Sequence, residues 1–351
     1  MATNVGTLDI SYLLDIDFQS VAEYGMDTIQ EVLARDLAVH NTLMQDLVGS
    51  FCEITVDRQR IYGTSIGGEM YEVDEYGRAP TQREKAGSTV GFPLRLYQYA
   101  IGWTRKWFQV HTPRDMALAI NRAQKSDLMK VQLEVRKSLF NDTNYTFNDF
   151  LIDKVDLSVK RLVNADGAPI PDGPNGETFD GSTHDHYLAT ASLVQADVVG
   201  LINTVVEHGH ATDVRVYINK AQEAAVRAFT DFEAYKDPRI IYVASDVANK
   251  RLDITRLDNR AIGILSAAEV WVKPWVPAGY MFCFAAGDPN KPLAFRQRDS
   301  RALQGLRIAG EIEMYPLLAE YMEHEFGIGV WTRTNGAALY IGGASWVNPS
   351  L

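Results

Sequence analysis

The stretch from Glu53 to Gln98, EITVDRQRIYGTSIGGEMYEVDEYGRAPTQREKAGSTVGFPLRLYQ, constrains this chain more than any other. With Gly63, Gly67, Gly68, Gly77, Gly87 and Gly91 set among many charges, it is too polar and too glycine-rich to bury itself. Its ends are nonetheless patterned as strands, through Ile54, Val56 and Ile61 on one side and Leu94, Leu96 and Tyr97 on the other. A turn signal lies at Asp74-Glu75-Tyr76-Gly77. Two strands of about 20 residues at roughly 3.3 Å per residue reach about 60 Å. A compact body of about 300 residues has a radius of gyration near 19 Å. The sequence therefore predicts an arm that projects past its own globule. A lone two-stranded ribbon is marginal in water, so another subunit is its expected support.

The chain as a whole has globular composition. Its 351 residues, 46% hydrophobic and 23% charged, suffice for a sizeable core and for two domains. The formal net charge of −11 argues against tight direct binding of nucleic acid, because proteins that grip the phosphate backbone are usually basic. Cys52 and Cys283 are too few and too far apart for a disulfide framework or a metal motif, and are expected as small buried hydrophobes in a reducing compartment. MATNVGTLDISYLLDIDFQ lacks the basic start and apolar core of a signal peptide, and no apolar run approaches the roughly 18 residues of a membrane span. Synthesis and assembly in the cytoplasm, away from membranes, are expected.

Residues 1–25 read as an extended arm, and 27–48 as a helix with Ile29, Leu33, Leu37, Leu43 and Leu47 on one face. Thr112 and Pro113 then open a long helix with an apolar stripe of Met116, Ile120, Ala123, Leu128, Val131, Val135 and Leu139. It runs to Phe140, roughly 40 Å at 1.5 Å per residue. Its basic residues, Arg114, Arg122, Lys125, Lys130, Arg136 and Lys137, suit a solvated face first and an acidic neighbour or an enclosed polyanion second. A strand at 155–159 and a proline- and glycine-rich tongue up to about 187 follow. From about 190 the pattern is α/β: a helix ending near Gly209, a strand over Val214, Val216 and Ile218, and a helix over 221–232. Strands are expected at Ile240–Val243, within Ile262–Phe284 and at Leu293–Arg296. Leu317–His324 reads as a helix, and Asn335-Gly336 as a hairpin turn between Val330-Trp331 and Ala337–Ile341. The C-terminal segment is expected to return onto the 113–140 helix, leaving 190–310 as an insertion.

Gly63-Thr64-Ser65-Ile66-Gly67 matches the nucleophile-elbow string, but no helix pattern follows to present Ser65. His184/His186 and His208/His210 would ligate zinc if the two pairs converged; a loop and a helix cap are the expected places for them, with no metal. Asp15 and Asp17 suit a solvated pair. Gly327-Ile328-Gly329 lacks the third glycine and following helix of a nucleotide loop. Trp271, Trp275, Tyr280 and Phe282 suit a core rather than a ligand platform. No catalytic residue, cofactor or metal is expected, which places an α/β hydrolase or metalloenzyme behind a structural protein.

The order of parts resembles the Hong Kong 97-like major capsid proteins of tailed bacteriophages, over nearly the whole chain. LVQADVVGLINTVVEHGHATDVRVYIN is similar to that family's axial helix and strand. ILSAAEVWVKPWVPAGYMFCFAAGDPNKPLAFRQR and FGIGVWTRTNGAALYIGG are similar to its late segments. The resemblance implies an α+β fold with an N-arm and helix (1–50), an extended β-hairpin E-loop (51–108), a peripheral domain with a spine helix and tongue (112–185), an inserted α/β axial domain (186–310) and a return to the peripheral domain (311–351). It implies self-assembly as hexamers and pentamers into an icosahedral shell enclosing double-stranded DNA, with precursor and mature forms. A separate scaffolding protein, a portal and a decoration protein are the implied partners; an encapsulin-type compartment is the alternative. Arg60, Tyr62, Tyr71, Glu72, Asp74, Glu75, Tyr76, Arg78, Arg83 and Lys85 become the candidate inter-subunit contacts. The family's prototype cross-links an E-loop lysine to an asparagine, for which Lys85 and Asn335 would be candidates, although a solvated Lys85 is the plainer expectation.

Overall fold

The computed structural model describes residues 13–63, 70–82, 87–163, 166–235 and 259–351. The expectations for residues 1–12, Ser65, Arg83, Lys85 and the strand at Ile240–Val243 lie outside these residues. The chain enters through helices α1 (Val21–Tyr24) and α2 (Met26–Gly49). Strands β1 (Cys52–Thr55), β2 (Gln59–Tyr62), β3 (Ser88–Gly91) and β4 (Arg95–Thr104) precede helices α3 (Arg105–Val110) and α4 (Pro113–Phe140). Next come β5 (Tyr145–Asn148), β6 (Asp156–Val159), β7 (Tyr187–Thr190), α5 (Gln195–Val206), β8 (Val214–Ile218), α6 (Glu223–Arg227) and β9 (Phe232–Ala234). The remainder is β10 (Arg260–Leu265), β11 (Ala268–Val272), β12 (Tyr280–Ala285), β13 (Leu293–Gln297), β14 (Arg307–Met314), β15 (Leu317–Val330) and β16 (Ala337–Ile341).

Two larger sheets organise the described residues. In the first, β15 is the shared strand: β4 runs antiparallel along one edge, β14 and then β13 along the other, and β1 adds in parallel beyond β13. The second has the order β7-β16-β12-β8-β11-β10-β9. Strand β12 is buried on both faces. Its Met281, Cys283 and Ala285 meet Val198, Leu201 and Val205 of α5, while Tyr280, Phe282 and Phe284 face Phe51, Trp275 and Phe140. The aromatic cluster is thus a core in which the two sheets and the end of α4 meet. Both cysteines are buried, and burial raises their thiol pKa values.

Helix α4 forms where expected. Pro113 occupies the first helical position, and the Thr112 amide donates to the Asp115 carboxylate at 3.1 Å. One position of its stripe differs: Asp127, rather than Leu128, is fully inside. Its carboxylate lies 2.7 Å from His324 Nδ1 on β15 and 3.0 Å from His40 Nε2 on α2. Burial opposes its ionisation, and the two imidazole hydrogen bonds more than offset this, holding its pKa below the usual carboxylate value. On α2 the buried set is Ile29, Val32, Leu33, Leu37, Met44 and Val48; Leu43 is exposed, so the expected stripe holds to Leu37 and then shifts by one residue.

Several expectations are corrected. Residues 13–25 are not extended: Leu13, Ile16 and Val21 pack with Ile29, Leu33, Met116 and Ile120, and Ser20 caps α1. Gly25, at φ 102°, lets α1 break into α2. Helix 221–232 shrinks to a 3-10 turn and α6, because Phe232–Ala234 pairs with β10. Leu317–His324 is strand, since β4 and β14 saturate both of its edges. The inward set there is Glu320, Met322 and His324, so two polar residues occupy the apolar phase and hide the alternation. Asn335-Gly336 makes no hairpin: a 3-10 turn carries the chain from β15 in one sheet to β16 in the other. The buried Asn335 amide instead satisfies the core backbone. The Ala285 amide donates to its Oδ1 at 2.8 Å, and its Nδ2 donates to Asn290 O at 2.7 Å and Ala285 O at 3.2 Å. The segment 311–351 therefore divides: β15 packs on α4, while β16 joins the second sheet, and β13 of the expected insertion pairs in the first.

Candidate inter-subunit arm

The arm is rooted in its own chain more firmly than the sequence suggests. It is not a continuous ribbon of two 20-residue strands. Strand β1 pairs with β13, and all ten residues of β4 pair with β15, so both ends of the stretch belong to the first sheet. Between them, the described hairpin ladder is limited to β2 and β3, from Gln59↔Gly91 to Tyr62↔Ser88. Its root crosses the face of β15. A Cβ on Gly327 would meet Pro93 O at 1.9 Å, and one on Gly329 would meet Gly91 O at 3.1 Å. The G-x-G at 327–329 is therefore a place where two backbones touch. On the other side Gly63, at φ 85°, lies against Pro169 of the tongue, with no room for a Cβ.

Two of the ten candidate contacts serve this root. Arg60 donates to Glu53 at 2.9 Å and to Asp57 at 2.7 Å, and its guanidinium lies 5.0 Å from the Trp331 ring centroid. Tyr62 accepts from the Thr334 amide at 3.2 Å, and its hydroxyl is 2.9 Å from Thr334 Oγ1. That same Oγ1 lies 3.0 Å from His210 Nε2, whose Nδ1 is 2.7 Å from Asp288. Asp288, His210 and Thr334 imitate the order of a catalytic triad. The Thr334 side chain is buried and engaged by Tyr62, so the geometry reads as a strut from the second sheet to the hairpin. A buried pair adds to the root: Arg296 on β13 donates to Asp149 at 2.9 Å and to Phe92 O at 2.8 Å. The tongue is tied by Asp166, which accepts from Arg333 at 3.0 Å, Lys160 at 2.6 Å and Asn144 at 2.7 Å. Burial of Asp166 opposes its charge, but these bonds hold its pKa well below the usual value.

Beyond the root the arm turns outward. All described residues of 70–82 are exposed and none is in a strand. The turn is where the sequence puts it: the Gly77 amide donates to Asp74 O at 3.0 Å, and the Tyr76 amide to Asp74 Oδ1 at 3.0 Å. Tyr71, Glu72, Asp74, Glu75, Tyr76 and Arg78 all lie on this tip. Met70 is 102% exposed and Tyr76 89%. Arg114, Arg122 and Lys125 form an exposed basic row on α4. Asn335, the suggested cross-link acceptor, has no exposed surface, and its amide is fully engaged.

The histidines, expected to stay apart, partly converge. His184, His186 and His208 bring ring nitrogens within 4.8 Å of one another, while His210 turns to the strut. Burial, and then the neighbouring rings, push His208 down to about 3 and His186 well below its ordinary value, so both are neutral near pH 7. The H-x-H spacing signalled each pair, but only the fold could bring the loop and the helix end together.

No protein-family model and no curated protein sequence matches the chain. Solved structures do. The chain is similar to one from Mycobacterium phage Patience, at 21% identity and TM-score 0.68, covering 99% of this chain and 96% of that one. It is also similar to the capsid of the native GTA particle, at 14% identity and TM-score 0.50, covering 84% and 90%. The chain has a mixed helix-and-strand phage-capsid fold of the Hong Kong 97-like type.

Proposed function

We propose that this chain is the major capsid protein of a tailed bacteriophage, assembling as hexamers and pentamers into an icosahedral head shell around double-stranded DNA. The observation that carries this reading is the end-to-end likeness to the phage Patience chain. In this reading the parts are the N-arm, E-loop, peripheral domain, axial domain and return, with β13 and β14 counted with the first sheet and β16 with the second. The tip residues Tyr71, Glu72, Asp74, Glu75, Tyr76 and Arg78, with Arg83 and Lys85, lap a neighbouring subunit. Arg60 and Tyr62 act from behind them by fixing the root. The acidic tip suits the basic row Arg114, Arg122 and Lys125 on a neighbour's α4. The role is structural rather than enzymatic. A net charge of −11 suits a wall that encloses DNA without gripping it. A scaffolding protein and a portal are its partners, the host cytoplasm its place of assembly, and the virion its final location.

The test is to express the full chain with its neighbouring structural genes, sediment the product and digest it with nuclease. The proposal expects particles with nuclease-protected double-stranded DNA. A shell filled with enzyme and free of DNA would instead indicate a nanocompartment, and a small discrete oligomer would overturn the shell reading.

A further inference from the structure

Three imidazoles from separate parts of the chain meet at the inner end of the tongue. His184 and His186 precede β7, and His208 follows α5. His208 Nε2 lies 2.9 Å from His184 Nε2 and 3.1 Å from His186 Nε2. His186 Nδ1 faces Gly336 O at 3.0 Å. A carbonyl only accepts, so the neutral ring carries its proton on Nδ1, and its Nε2 lone pair points into the cluster. His208 Nδ1 is buried and has no hydrogen-bond partner. If His208 carries its proton there, its Nε2 lone pair meets that of His186. If the proton is on Nε2, the buried Nδ1 is a stranded acceptor. Neither tautomer satisfies the cluster, and a cation among the three Nε2 atoms accepts every lone pair directed inward.

We propose that His184, His186 and His208 form a binding site for a divalent transition-metal ion of the zinc class. Zinc–imidazole bonds of about 2.0–2.1 Å in tetrahedral geometry set ligand nitrogens about 3.3 Å apart, a few tenths of an ångström from the two separations to His208 Nε2. The three ring nitrogens lie within 4.8 Å of one another, so a bound ion would draw His184 and His186 together. The bond from His186 Nδ1 to Gly336 O is the backbone support that orients metal-bound histidines. Glu207 Oε1, 3.6 Å from His184 Nε2, stands beside the cluster as a fourth donor. Phe179 of the tongue covers it, 4.1 Å from the His208 ring and 4.6 Å from that of His184 between centroids. The ion would clasp the tongue to the end of α5 and to the Gly336 crossover between the sheets. This site stands whether or not the chain builds a shell.

Cobalt(II) and zinc(II) are the probes. The full chain, stripped with chelator and dialysed against cobalt(II), is expected to hold about one ion per chain with the strong visible absorption of a tetrahedral site, which zinc(II) bleaches. Zinc(II) should raise the unfolding temperature by several degrees, reversed by chelator. His208→Gln should abolish retention, and so should His184→Ala, at a partly exposed position. His111→Ala, a surface control, should retain the ion. Failure of the full chain to retain either ion, or equal retention by both cluster variants and the control, would overturn the proposal.

Discussion

At the residue scale, the informative side chains are polar groups inside the core. Glu320 is 2% exposed, opposite Glu311 on β14, and its Oε1 has no hydrogen-bond partner. Burial first, and the Glu311 charge second, push its pKa up to about 7. The folded state therefore holds this proton more tightly than the unfolded state. Between the ordinary glutamate value and about pH 7, stability falls as pH rises, and above that window the penalty is complete. Glu320→Gln is expected to stabilise the unassembled chain by up to about 3 kcal/mol at pH 8 and to change little near pH 4, as read by denaturant unfolding at the two pH values. An equal effect at both would show that the carboxylate is not strained. Asn335→Ala should cost about 2–4 kcal/mol in the same assay, because it strands the backbone N–H and C=O of buried Ala285. Neither role is visible in the sequence. A glutamate inside a strand and an asparagine before glycine carry their commoner meanings until the fold supplies their partners.

At the element scale, legibility followed periodicity. Helix α4 could be read to its first residue from Thr112, Pro113 and its stripe, β8 from the alternation of Val214, Val216 and Ile218, and β12 as one of the strands within Ile262–Phe284. Strand β15 could not, because Glu320 and His324 sit in its buried phase, where His324 meets Asp127. The arm was legible as an outward segment with its turn at Asp74–Gly77, but its root was not. The pairings of β1 with β13 and of β4 with β15 join residues roughly 200 apart, which no local pattern records. Replacing 70–82 with a short glycine-serine link should leave the unfolding temperature of the unassembled chain within about 2 °C, because all of those residues are exposed and none is in a strand, yet prevent stable assembly. Reversing Glu72, Asp74 and Glu75 to lysine should also impair assembly. Reversing Arg114, Arg122 and Lys125 to glutamate in the same chain should restore it, measured by sedimentation; no restoration would remove α4 as the docking surface.

At the scale of the whole molecule, the two sheets share one aromatic core at the end of α4, and the crossover at 332–336 links them covalently. The hairpin root is bolted to both, through Gly327 and Pro93 on one side and through Tyr62, Thr334 and His210 on the other. A packed body thus carries a tip whose described residues, 70–82, are all exposed. That division of labour is the physical case for assembly. Its most direct measurement is an electron cryo-microscopy reconstruction of the particles the full chain forms. The account predicts closed icosahedral shells in which residues 70–82 lie across a neighbouring subunit. Particles that never close, or shells in which that segment folds back onto its own chain, would contradict it.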